Sequence, residues 1–119
     1  MRRMLNETKG TVVADRVVEA RSFWTRFRGL MLKASLPRGE GLLIRPSSSV
    51  HTLFMRFPID VVFIGRDGVV VKVSPSVRPY RATGVMRPGV SALELPAGAA
   101  AEARVEPGDR LVFVEGDPT

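Results

Sequence analysis

The sequence predicts a mainly β fold: a β-sandwich or partly open barrel, largely antiparallel, with one or two short α-helices in a single domain. Three observations lead there. Eleven glycines and nine prolines are scattered along the 119 residues without a period, which cuts the chain into many short segments. Those segments alternate or run apolar over strand lengths, between turn-forming residues. The helical signals are too few and too short to supply the crossovers of a parallel βαβ sheet. A chain of this length suits one domain, burying roughly two-thirds of its unfolded surface.

Taken in order, residues 1–10 are polar and expected to fray, residues 11–115 form the domain, and residues 116–119 are a tail. Thr11–Ala14 and Val17–Ala20 are short strands about a turn at Asp15-Arg16. From Ser22 to Lys33 the pattern is helical. Ser22 caps it, and Phe23, Phe27, Leu30 and Met31 recur on one face, widened by Trp24. Gly29 within it costs roughly 1 kcal/mol against alanine and would let another backbone approach. Leu42–Ile44 is a strand, and His51–Phe57 another that Pro58 interrupts. Ile59 to Gly65 is apolar on both faces, the mark of a central strand. Arg66-Asp67-Gly68 is a hairpin turn, from which Val69–Val73 returns antiparallel. Pro75–Gly89 is the longest irregular stretch and a candidate binding loop. Val90–Leu95 is a strand, Pro96-Ala97-Gly98 opens an alanine-rich helix through Arg104, Glu106–Asp109 is a turn, and Arg110–Glu115 is the last strand.

Composition removes whole classes of chemistry. Without cysteine there is no disulfide, thiolate metal site or cysteine nucleophile, and one histidine excludes multi-histidine metal centres. No metal or cofactor is expected. Phosphate-loop and dinucleotide glycine motifs are absent. No apolar run reaches a membrane span, and no signal-peptide core follows Arg2-Arg3, so a soluble, cytoplasmic protein is expected. The net charge is +6, with fifteen arginines and three lysines. The arginines are dispersed, which favours a bias of genome composition, or selection for heat-stable surface ion pairs, over a nucleic-acid footprint.

The residues that stand out are polar groups in apolar surroundings. His51 follows three serines at the start of a strand, with no nucleophile elbow nearby. Asp60 lies within Phe57-Pro58-Ile59-Asp60-Val61-Val62-Phe63. Burying an ionised carboxylate there costs several kcal/mol unless it is matched. It therefore requires Arg56, another arginine, His51 or the amides of a tight turn. Glu94, in Ala92-Leu93-Glu94-Leu95, poses the same problem if buried, although alternation favours an outward, solvated side chain. The two carboxylates together form at most a weak glycosidase-type pair.

Three stretches resemble the signatures of domain-of-unknown-function family 192. They are Arg26-Phe27-Arg28-Gly29-Leu30-Met31, Gly41-Leu42-Leu43-Ile44 and the long run His51 to Ile64. Leu93–Gly98 and Pro107-Gly108-Asp109 are similar to its C-terminal half. The resemblance covers roughly residues 10–115. It implies a compact, mainly β domain and no established activity. As a candidate site it carries over Arg26, Gly29, Met31, His51, Met55, Asp60 and Glu94, to which Arg56 is added as the cation next to the Asp60 strand.

The function expected is a small non-catalytic binding module. Its pocket, near the Ser22–Lys33 helix, the His51–Asp60 strands and the Pro75–Gly89 loop, would take an anionic small molecule or peptide. Two alternatives rank behind it. One is a hydrolase-like enzyme with His51 as base and Asp60 as its orienter. The other is nucleic-acid binding through an arginine-rich surface.

Overall fold

A computed structural model describes residues 2–20, 36–45, 57–78 and 89–115. Eight strands form two sheets. The smaller holds β1 (Arg2–Asn6), β2 (Thr11–Ala14) and β8 (Leu111–Glu115) in the order β2-β1-β8. The larger holds β3 (Arg16–Ala20), β4 (Glu40–Ile44), β5 (Ile59–Ile64), β6 (Val70–Val77) and β7 (Ser91–Pro96) in the order β3-β4-β7-β5-β6. One short helix, α1 (Ala99–Glu102), follows β7. The pairing is antiparallel except for β3 with β4, which run parallel. The mainly β fold read from the sequence is thus the observed one.

Two corners join the sheets. At the first, the chain leaves β2, bends at Asp15 and enters the larger sheet as β3. Gly39, at φ +88°, turns its carbonyl to accept the amides of Asp15 (2.7 Å) and Arg16 (3.1 Å). At the second, Val69 bridges to Arg110, and the amides of Val70 and Leu111 donate to Asp109 and Gly68 carbonyls (2.8 and 2.9 Å). Backbone pairing at both corners ties the two sheets together.

Between the sheets lies one apolar core, to which Met4, Val13, Leu43, Val62, Leu93 and Leu111 contribute. The other face of the larger sheet carries a second core, with Leu36, Ile59, Val61, Phe63, Val90 and Ala92. Hence β5 is buried along its whole length, as its two apolar faces require. Its hairpin to β6 closes with the amide of Gly68 (φ +84°) donating to Gly65 and that of Val69 to the Asp67 carboxylate. Only glycine reaches such a φ without strain.

Four expectations are corrected. Residues 2–6, read as fraying, form the middle strand of the smaller sheet, because Met4 fills the core and the side-chain amide of Asn6 donates to Asp109 (2.9 Å). The irregular stretch does not start at Pro75, since β6 continues to Val77. Proline is tolerated there because β6 is an edge strand. The alanine-rich helix ends as a regular element at Glu102, one turn long, and its exit passes through Arg104 at φ +55°. Glu94, expected to be solvated, is fully buried, because β7 is covered on both faces and alternation leaves it no wet side. The helix read over Ser22–Lys33 and the strand over residues 51–56 lie outside the described residues.

Candidate functional site

Both β4 and β5 pair antiparallel with β7, so they run in the same direction and finish at the same end of the sheet. Each is followed at once by an arginine: Arg45 after Ile44, and Arg66 after Ile64-Gly65. At this end a cavity of about 580 Å³ opens between the two sheets. Its inner wall is Met4, Leu43, Ile64, Leu111 and Phe113, the first four of them buried. Arg45 and Arg66, both exposed, stand at its mouth with Ser91 and the backbone of Gly65, Gly68 and Gly89.

The two mouth arginines differ in their commitments. Glu19 on β3 accepts Arg45 Nη2 at 3.2 Å and Arg2 Nη1 at 2.5 Å. The Arg2 guanidinium also reaches Glu115 (3.1 Å) and lies 3.7 Å from the centroid of the Phe113 ring, with that of Arg45 at 5.6 Å from the same centroid. On this side the rim is built of arginines that are paired and stacked. Among the described residues, no carboxylate pairs with Arg66. Its guanidinium instead lies against Gly89, at φ +86°, where a Cβ would run into Arg66 Nε. The absence of a side chain at Gly89 therefore sets where Arg66 rests.

Asp60 does different work. Its Oδ1 accepts the amide of Ser76 (2.8 Å), and its Oδ2 those of Gly98 (3.1 Å) and Ala100 (2.9 Å). Of the partners its burial required, the structure shows backbone amides. One carboxylate thereby fastens β5 to an irregular point of β6, where Ser76 has φ +48°, and to the turn into α1. Glu94 is Cα-paired with Leu42 and Val61 and shares the Ala92 side of β7, the face of the second core, not of the cavity. Arg26, Gly29, Met31, His51, Met55 and Arg56 lie outside the described residues. Of the described residues of the expected Pro75–Gly89 loop, Gly89 lines the cavity.

A third polar group closes the base of the smaller sheet. Asp109 Oδ2 accepts from Lys9 Nζ (2.8 Å), Asn6 Nδ2 (2.9 Å) and the Glu106 amide (3.0 Å). Lys9, then Asn6 and the Glu106 amide hold the Asp109 carboxyl down at about 2, against a smaller opposing effect of burial. The same hydrogen bond raises Lys9, helped by the charges of Asp109 and Glu106. The role is architectural, since these groups lock the Thr8–Gly10 turn onto the Glu106–Asp109 turn. Among the described residues no cluster of three or more His, Asp or Glu side chains is suited to a metal, and no helix is long and apolar enough to cross a membrane.

Sequence reasoning missed Arg45, Arg66, Gly89 and Ser91. The available signal was an arginine within two residues of the end of each of two apolar strands, Leu42–Ile44 and Ile59–Ile64.

Comparison with known proteins bears on the whole chain. Residues 4–113 match the model of the family DUF192, described as an uncharacterized ACR. A UPF0127 protein of Pyrococcus furiosus is 38% identical over 113 residues, covering 91% of this chain and 95% of the relative. One from Thermococcus sibiricus is 32% identical over 112 residues, covering 91% and 72%. The crystal structure of a protein of unknown function from Novosphingobium aromaticivorans superposes with a TM-score of 0.76 at 24% identity, covering 93% of this chain and 82% of that one. That likeness is one of fold.

Proposed function

We propose that this chain, which belongs to the DUF192 family, is a small non-catalytic binding module for an anionic small molecule or peptide. The observation that carries the reading is the cavity of about 580 Å³ with an apolar interior and Arg45 and Arg66 at its mouth. Small-ligand sites are of this size and character, mostly apolar with a few convergent polar groups. A guanidinium fork at such a mouth matches a carboxylate in geometry as well as charge. The hydrolase reading draws no support from Asp60, whose oxygens already accept three backbone amides. A general base's orienter needs an oxygen directed at the base.

The test is a thermal-shift screen of the intact protein against small carboxylates, short peptides and short oligonucleotides, with Arg66→Gln and Arg45→Gln beside it. A ligand at 100 times its dissociation constant adds about 2.7 kcal/mol to the native state, several degrees for a domain of this size. Stabilisation by small anions that Arg66→Gln removes supports the reading. Stabilisation by oligonucleotides alone, fading steeply with salt, would replace it with nucleic-acid binding.

A further inference from the structure

We infer that the cavity takes an amphipathic monoanion, a carboxylic acid whose apolar body enters between the sheets while its single charged head stays at Arg66. This rests on the reading of the cavity as an anion site and narrows it to one class of ligand.

The interior sets the body. Met4, Leu43, Ile64, Leu111 and Phe113 offer carbon, a thioether and one aromatic ring, and Ser91 is the one hydroxyl side chain among the cavity's described lining. A polar or multiply charged body placed there would lose its hydration without gaining partners, whereas a hydrocarbon body gains from leaving water.

The rim sets the head. Three backbone amides at this end are already used. The amide of Gly65 donates to Val69 (2.9 Å), that of Gly68 to Gly65 (3.0 Å), and that of Leu111 to Gly68 (2.9 Å). None of these three amides is free to cradle a phosphate group. Of the guanidinium groups, Arg45 shares Glu19 with Arg2, and Arg2 is held again by Glu115. Arg66 is the rim cation with no carboxylate among the described residues. Among the described residues, one mouth cation without a carboxylate partner matches one anionic head. The bare backbone of Gly89 lets the Arg66 guanidinium lie against the rim. Gly89 is thus a positioning residue for the charged end of the site.

Calorimetric titration with acetate, butanoate, hexanoate, octanoate and inorganic phosphate, and with octan-1-ol as the uncharged control, tests this on the full chain. Affinity is expected to rise roughly fourfold for each methylene added. Octanoate should bind about tenfold more tightly than octanol, and Arg66→Gln should abolish that preference while leaving octanol unchanged. Arg66 is exposed in a hairpin turn, so circular dichroism and the melting temperature of the variant should match those of the parent. Equal binding of acetate and octanoate, or tighter binding of inorganic phosphate than of octanoate, overturns the amphipathic ligand and leaves the anion site standing. If no acid binds, or if the preference for octanoate over octanol survives an Arg45→Gln, Arg66→Gln double variant, the anion site itself fails.

Discussion

Asp60, Asp109 and Gly89 show how much a single residue decides in this molecule. Asp60 satisfies three backbone amides from two other segments. In Asp60→Asn the charge is lost, and an amide NH2 faces donors it cannot accept from. Hydrogen bonds to a charged group contribute about 1.5–3 kcal/mol each, so denaturant unfolding should show a loss of about 3 kcal/mol or more. An equally stable variant would mean that these bonds add nothing net. Asp109 is held at about 2, below its ordinary value of 3.8. The native state therefore binds fewer protons than the unfolded chain, and stability from this group is present above about pH 4. It is lost as pH falls from about 4 to about 2. The advantage of the wild type over Asp109→Asn in thermal unfolding should shrink across that window, and an advantage that stays constant would show that the carboxylate titrates normally. At Gly89 an added methyl meets both a strained φ and the Arg66 side chain. Gly89→Ala should cost about 1 kcal/mol of stability and weaken anion binding, with octanol binding unchanged.

Single strands explain which parts of the fold could be read from residues alone. β5 and its Asp67-Gly68 turn were legible because every signal is local. An apolar run marks burial on both faces, and the glycine supplies a positive φ. β1 was not, because Arg2-Arg3-Met4-Leu5-Asn6 looks polar until Asn6 meets Asp109, 103 residues away. Glu94 was misread because alternation assumes one wet face, and β7 has none. The mouth arginines were invisible for a related reason. Arg45 and Arg66 converge only because β7 pairs between β4 and β5, a non-sequential strand order that no local pattern encodes. The element-scale consequence is that changes in β5 and β3 should differ sharply. Phe63, fully buried, should cost about 3–5 kcal/mol on truncation to alanine. Val18, 59% exposed on an edge strand, should change stability by no more than about 0.5 kcal/mol when replaced by threonine. Chemical denaturation of the two variants compares them directly, and similar losses would contradict the assignment of the cores.

At the scale of the whole molecule, two sheets joined at two corners hold a cavity open at one end, and the arginines stand where the strands finish. The net charge of +6 adds a general attraction for anions that salt screens over about 10 Å at 0.1 M. A site made by one guanidinium above an apolar interior should be less sensitive to salt than that general attraction, because much of its binding comes from buried hydrocarbon. The measurement that tests the account most directly is an amide-resolved NMR titration of the intact 15N-labelled protein with octanoate at moderate salt. The account expects saturable shifts concentrated at Gly65, Gly68, Gly89 and Ser91, which in Arg66→Gln should need about tenfold more octanoate to reach the same extent. Shifts that are spread over the basic surface, or that leave those four amides unmoved, would contradict it.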